Sequence, residues 1–244
     1  YYHAYELEEA QACARRGIEV AHQVLSEHIL GGDAQRFLAL AQFAGGQPAA
    51  ALATLRKAQW GAEQVYYRRS ARVLAATQAH LHLRAGNLAA AREWAAAEQF
   101  APDCAPAPGC ELEYCVYAQW LRGEGRNDAA FAALTTVAEQ AAAGGRVGRL
   151  IGVRVAQALA AHSLERLAEA GACLAEAVRL AAPNDFRSQF LDAGDDVLPL
   201  LAHVRAASPA LVDDLLRRAS RPAPAAEPTP ALVEPLSARE SEVL

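Results

Sequence analysis

The chain repeats itself with a period of about 40 residues, and this self-similarity constrains its fold more than any other feature. Five segments consist of a turn followed by a run of small residues, and each ends at an alanine. These alanines are spaced 41, 40, 39 and 40 residues apart: Ala10, Ala51, Ala91, Ala130 and Ala170. A second register lies 12 residues before the last four of them, at Ala39, Ala79, Ala118 and Ala158. Although about a quarter of the chain is Ala, two registers in phase with matching turns indicate a true repeat.

Each unit is predicted to be a pair of antiparallel helices, named helix A and helix B, joined by a turn. Alanine has the highest helix propensity and β-branched residues are few, which favours an all-α fold. Turn residues fall between the two helices of three units, at 45–48, 86–87 and 123–127. Gly ends a helix through a left-handed residue, and Pro suits the first turn of the next one. The pattern predicts a right-handed α-α superhelix over residues 1–182, with about five units and the first one truncated. The second alanine register should be buried against helix B of each unit.

The residues after the repeats divide into three parts. Pro183 and the two residues after it break the last repeat helix. Within 183–220, two shorter helices, near 193–206 and 209–219, are predicted to cap the open end of the array. Residues 221–235 contain five prolines, which is typical of a semi-extended linker. Residues 236–244 begin a further helix, because Ser237 and Glu240 form a capping box. Since the chain also contains no Met, we expect it to be truncated at both ends.

Two parts of the chain resemble known proteins. Residues 236–244, LSARESEVL, resemble the opening of the helix-turn-helix domain of LuxR-type transcription regulators, which typically reads L-[ST]-x-R-E-x-E-V-L. The repeats resemble tetratricopeptide repeats, although their period is longer than the usual one of about 34 residues. The whole arrangement, including segments 186–194 and 198–201, looks like the superhelical domain of the MalT-like large ATP-binding regulators of the LuxR family. That resemblance implies an upstream ATPase domain, which would be the one to bind ATP, and a downstream DNA-binding domain.

The sequence contains no recognisable motif for catalysis or for cofactor binding. Lys57 is the only Lys and stands between Arg56 and Ala58, so a P-loop is absent. The five cysteines form no C-x-x-C pair, and reduced, mostly buried thiols are expected. On a helix, His80 and His82 would point in different directions and would not share a metal ion. We therefore expect this chain not to be an enzyme and to hold no metal or cofactor of its own.

Charge and hydropathy limit the expected partners. The formal net charge is −5 and the pI is near 5.8, unlike a nucleic-acid-binding surface. Promoter DNA would be contacted only through the missing C-terminal domain. The sequence shows no signal peptide and no run of about 18 apolar residues, so a cytoplasmic location without membrane contact is expected.

The candidate ligand-binding residues lie on helix A, which lines the concave side of tetratricopeptide-like arrays. Counting from the alanine registers gives Arg36, Arg72, Val73, His80, Gln119, Arg122 and His162. Basic groups, two histidines and an amide that face a groove would suit a sugar, a carboxylate or an acidic peptide. The alternative is that these are ordinary solvated side chains on a helix surface.

The expected function is effector sensing or protein interaction within a bacterial LuxR-family transcription regulator. A small-molecule inducer or a regulatory protein would bind in the groove and shift the regulator from a resting form to an active, self-associated one. The alternative function is a tetratricopeptide-like scaffold that binds peptides and has no link to transcription. A third class, an enzyme, would need a tight cluster of perturbed acids, bases or metal ligands in a cleft.

Overall fold

The structure, a computed structural model, describes residues 1–23, 27–64, 68–98, 100 and 109–220. The linker predicted at 221–235 and the helix start predicted at 236–244 lie outside these ranges. Within them the structure has twelve α-helices and no strand: α1 (Leu7–Gln23), α2 (Glu27–Ala44), α3 (Pro48–Gln64), α4 (Arg68–Arg84), α5 (Leu88–Glu98), α6 (Glu111–Gly123), α7 (Asn127–Ala143), α8 (Val147–Ser163), α9 (Leu167–Ala181), α10 (Ser188–Leu191), α11 (Val197–His203) and α12 (Pro209–Ala219). None of these helices combines the length and the apolar character that a bilayer crossing requires.

Helices α1–α9 form the repeat array. Helix α1 is helix B of the truncated first unit, and α2 to α9 are the A and B helices of four further units in alternation. The alanines of the helix-A register expose 2% of their surface or less: Ala39, Ala79, Ala118 and Ala158. The alanines of the helix-B register are buried as well. Because Ala has only a methyl side chain, the paired helices approach closely at these positions, and the predicted all-α superhelix of helix pairs is confirmed.

Five turns between successive long helices share one hydrogen-bond pattern. In the turn after α6, the Gly125 N–H donates to the Arg122 carbonyl at 2.9 Å and the Arg126 N–H donates to the Leu121 carbonyl at 2.8 Å. This pair of bonds is the Schellman motif, which satisfies carbonyls at a helix end and needs one left-handed residue. The left-handed residues are Gly46, Gly86, Gly125, Gly145 and Glu165. Glycine was predicted for the first three of these turns, and the last one uses a glutamate in the same conformation.

Residues 183–220, named the capping segment, cover the end of the last repeat. Helices α11 and α12 lie where two short helices were predicted, and α10 precedes them. Phe190, Val197 and Leu215 are fully buried and pack in one apolar cluster with Val178 of α9. Through these contacts the capping segment shields the apolar face that the last repeat would otherwise expose.

Residues 1–6, named the N-terminal segment, contact the capping segment although the two are about 185 residues apart in sequence. The His3 carbonyl accepts hydrogen bonds from the backbone N–H groups of Arg187 at 2.7 Å and Ser188 at 3.1 Å. Arg218 donates to the Tyr5 carbonyl at 3.4 Å. The two ends of the array therefore meet.

Candidate ligand-binding cavity

A cavity of about 420 Å3 lies where the two ends of the array meet the A helices. Its walls come from α2, α4, α6 and α8, from the N-terminal segment and from residues 186–193 of the capping segment. No B helix contributes a lining residue among the described ranges. The volume falls within the range of small-molecule sites, roughly 300–1,000 Å3. The A helices thus line the cavity, and the open groove is reduced to a bounded cavity.

A buried tyrosine and aspartate close one side of the cavity. The Tyr2 hydroxyl donates to Asp192 Oδ2 at 2.5 Å, and the Arg84 guanidinium donates to the Asp192 carbonyl at 2.6 Å. Burial raises the pKa of Asp192 to about 6, although the Tyr2 hydrogen bond and the charges of Arg84 and Arg36 act in the opposite direction. Burial and the adjacent carboxylate raise the pKa of Tyr2 as well. This contact joins residues 190 positions apart and fixes the N-terminal segment across the A helices.

His80 and Gln119 meet inside the cavity, one repeat apart. His80 Nδ1 lies 2.8 Å from Gln119 Oε1. Burial and the charge of Arg84 lower the pKa of His80 to about 4, so the imidazole is neutral near pH 7. Because an amide oxygen only accepts, Nδ1 carries the proton, and Nε2 remains an acceptor. The pair therefore offers a ligand one acceptor, on His80, and one donor, the Gln119 amide nitrogen.

Four arginines line the cavity, and they differ in their partners. Arg146 donates to Glu111 Oε1 at 2.6 Å, and Arg122 lies 3.1 Å from Asp196 Oδ2. Arg36 is 8% exposed, and its buried Nε has no hydrogen-bond partner. Among the described residues Arg149 takes part in no ion pair. Two of the four guanidinium groups thus donate a hydrogen bond to a carboxylate, and in the described structure the other two do not.

Rings and glycines form the apolar part of the wall. The His3 ring lies between Phe186, with centroids 4.8 Å apart, and Phe37, with centroids 5.7 Å apart. Partial burial and the charges of Arg36 and Arg149 lower the pKa of His3 to about 4. A Cβ added to Gly148 would lie 3.1 Å from the Phe186 ring, so α8 approaches this ring closely because Gly148 lacks a side chain.

The structure places four of the seven candidate residues in the cavity and three outside it. Arg36, His80, Gln119 and Arg122 line the cavity together. Arg72 instead faces the B helix of its own unit, where its Nε donates to Glu98 at 2.9 Å. Val73, which is half-buried, and His162, which is exposed at the end of α8, lie outside as well. These last three do not join the other candidates, because the cavity is shorter than the groove: among the described residues it lies only where the N-terminal and capping segments cross the A helices.

Other lining residues were missed, and those on α8 left a signal in the sequence. Gly152, Val155 and Leu159 of α8 line the cavity at spacings of three and four. Arg149 lies three residues before Gly152 on the same helical stripe, so the repeat register could have identified Arg149 as a lining residue. Tyr2, along with His3, Phe186 and Asp192, comes from segments outside the repeats, where no register exists.

The cavity offers hydrogen bonds, charge and apolar surface, but its thiol is not reactive. Burial raises the pKa of Cys115 to about 12, which keeps the thiol protonated. Cys13 is exposed, so the expectation of mostly buried thiols is wrong there, and Cys104 lies outside the described residues. In the described ranges no cluster of three or more His, Cys, Asp or Glu residues has a geometry fit to hold a metal ion. The arrangement suits binding of a small polar molecule.

Comparison with known proteins gives one family match. The sequence model of the MalT-like TPR region matches residues 1–207, which includes the whole repeat array and the lining part of the capping segment. No curated protein matches the chain.

Proposed function

The chain belongs to the MalT-like TPR region family, and from this premise we propose that it is a non-catalytic sensing domain which binds an effector in the cavity. In this proposal the effector controls a LuxR-type DNA-binding domain that begins within residues 236–244. ATP would bind to an upstream domain, and promoter DNA and self-association would involve the full-length regulator.

The observation that carries the proposal is the position of the cavity. It is lined at once by α2 near the start of the array, by α8 near its end, and by both terminal segments. A ligand there would contact elements whose relative positions define the curvature of the superhelix. Binding free energy could then shift the equilibrium between two curvatures and so reach a domain attached after the capping segment.

The same observation disfavours the peptide-scaffold alternative. Residues 186–193 and the N-terminal segment lie on the helix-A side, where a tetratricopeptide-like scaffold would bind an extended peptide. Such a peptide would have to displace the Tyr2–Asp192 contact and the bonds to the His3 carbonyl. A small molecule fits without breaking them.

The test is to fill the cavity and to compare a matched substitution elsewhere. Gly152 of α8 lines the cavity, whereas a Cβ on Gly171 of α9 would meet no atom within 4 Å. Both glycines lie inside helices, so G152F and G171F change helix propensity alike. In the full-length regulator, G152F should abolish effector-dependent transcription and G171F should leave it intact, with circular dichroism confirming that both variants fold. An unchanged response in G152F would show that the cavity is not the sensing site.

A further inference from the structure

Within the described ranges, two arginines in the cavity have no carboxylate at hydrogen-bond distance. Among the described residues, Arg36 has one carboxylate oxygen within 4 Å, Asp33 Oδ1 at 3.9 Å from Nε, and the Asp33 side chain is 82% exposed. That distance is too long for a hydrogen bond, and so exposed a partner is screened by water. Arg149, in the first turn of α8, has no carboxylate partner among the described residues. A nearly buried guanidinium without a partner is costly, which is why such groups are usually paired.

The two charges act on the same region of the cavity. Burial lowers the pKa of Arg36, and the charge of Arg149 lowers it further. The charges of both arginines also lower the pKa of His3, so both act on the same imidazole. The lining residues include four arginines but only the two carboxylates of Glu111 and Asp192. Glu111 pairs with Arg146 and Asp192 accepts a hydrogen bond from Tyr2, so positive charges outnumber carboxylates among the lining residues.

The guanidinium of Arg36 lies over an aromatic ring and lines the cavity. Its guanidinium carbon lies 4.4 Å from the centroid of the Phe37 ring, so the ring fixes the guanidinium plane through its face. Its Nε is buried without a hydrogen-bond partner, and the other guanidinium N–H groups complete its set of donors. This is the fork that binds a carboxylate or phosphate through two parallel hydrogen bonds.

We propose that the cavity binds a small organic anion, whose acidic group is held by Arg36 and Arg149 and whose apolar body packs against Phe186. This proposal rests on the proposed sensing function and names the chemical class of its effector. The apolar part of the ligand would lie along α8 at Gly152, which lines the cavity and where an added Cβ would meet only Gln189 Cγ, at 3.7 Å.

The experiment uses the full 244-residue chain and a matched pair of probes, phenylacetate and phenylacetamide, in calorimetric titrations at physiological salt. The two probes have nearly the same shape and differ in charge. Phenylacetate should bind at least about tenfold more tightly than the amide, and acetate and inorganic phosphate should bind more weakly because they lack the apolar body. R36Q and R149Q should each reduce phenylacetate affinity by about tenfold or more, while R16Q, at an exposed site on α1, should not change it.

The proposal would be overturned by equal binding of acid and amide, by unchanged affinity in R149Q, or by failure of phenylacetate to bind at about 10 mM. Since Arg149 is exposed enough to be replaced without disturbing the core, R149Q keeps the test valid even if R36Q does not fold. Equal competition by inorganic phosphate would also overturn it, because phosphate has no apolar body. If any of these occurs while G152F still blocks the transcriptional response, the anion proposal fails and the sensing function stands.

Discussion

The joints inside the repeat array and the joint between its two ends are built from different interactions. Inside the array, successive helices meet through small apolar residues such as Ala118 and Ala158, which are 1% exposed or less. Between the ends, the hydrogen bonds are a tyrosine hydroxyl on Asp192 at 2.5 Å and two backbone bonds to the His3 carbonyl, beside one contact between the His3 and Phe186 rings. The capping segment combines both kinds, since it packs on α9 through an apolar cluster and faces the N-terminal segment through polar groups.

This difference assigns a physical role to each joint. Apolar packing of neighbouring repeats is insensitive to charge and fixes the local geometry, in the nearest-neighbour manner of repeat proteins. The polar joint depends on protonation and on electrostatics, and it encloses the cavity. Under the proposed function, a ligand that changes the local charge would act on this joint. The following predictions test this division, from the largest expected effect to the smallest.

Removing the central ring of the capping segment should have the largest effect. Phe190 is fully buried in the cluster that covers α9, so Phe190→Ala should lower the free energy of unfolding by about 3–5 kcal/mol, measured by urea denaturation. Hydrogen exchange should show the loss of protection in residues 183–220, while α2 to α7 stay protected. Phe131→Ala, at a half-buried ring of α7, is the control and should cost less. Uniform loss of protection over all helices would contradict the separation of the two regions.

Asp192 should make the polar joint sensitive to pH. Its pKa is about 6 in the folded protein against 3.8 for the free side chain, so the folded state holds the proton more tightly. The corresponding stability is fully present below about pH 4 and is lost as the pH rises through 6, roughly 3 kcal/mol at most. Relative to wild type, Asp192→Asn should therefore gain stability between pH 4 and 7 in urea titrations. A constant difference between the two proteins over that range would contradict the assignment.

Asp214 of the same segment provides a comparison of opposite sign. Partial burial alone would raise its pKa, but hydrogen bonds from Arg187, Arg218 and Arg217 lower it to about 2. Its contribution is present above about pH 4 and is lost as the pH falls toward 2, so Asp214→Asn should destabilise the protein at pH 7 by roughly 2 kcal/mol. Measured together, the two variants distinguish Asp192, whose pKa is raised by burial, from Asp214, whose pKa is lowered by hydrogen bonds from arginines.

Overpacking one apolar joint should destabilise the array to an intermediate degree. Ala118 is 1% exposed within the core cluster, so Ala118→Leu should force the helices of its unit apart and cost about 1–3 kcal/mol. Ala132→Leu, on the exposed side of α7, should change the free energy of unfolding by only a few tenths of the change expected for Ala118→Leu. Thermal unfolding monitored by circular dichroism gives both numbers. Equal effects at the two sites would mean that the alanine register does not define the joint.

The smallest effect concerns the one turn that lacks glycine. Glu165 has a φ of 60°, a conformation in which the other four turns place Gly. Glu165→Gly should raise the free energy of unfolding by about 0.5–1 kcal/mol, because the left-handed strain of a side-chain-bearing residue is removed. Glu169→Gly, four residues later in helical backbone, should lower it by a similar amount. A loss of stability in both variants would contradict the strain argument.

The cavity residues that could be predicted from the sequence are those at repeated positions of helix A. His80 and Gln119 occupy the same register position one unit apart, and their hydrogen bond in the cavity reflects that register. Arg149 belongs to the same stripe on α8 and was accessible by the same argument. Arg72 lies beside a repeated position of helix A. Its guanidinium does not reach the cavity but donates to Glu98 in helix B of the same unit. Sequence patterning identifies the helix and the face, whereas the partner depends on the contacts of each side chain.

The sequence by itself determined the repeat unit: helices favoured by Ala, turns set by left-handed Gly, and a buried small-residue register. These are local properties, decided within about 40 residues, and each unit specifies them independently of the others. Only the tertiary structure decided that Tyr2 meets Asp192. The same holds for the cavity and for the two lining arginines that, among the described residues, have no carboxylate at hydrogen-bond distance. The physical reason is that small rotations between neighbouring units accumulate over the array, so the approach of its two ends depends on all the joints together and on none of them alone.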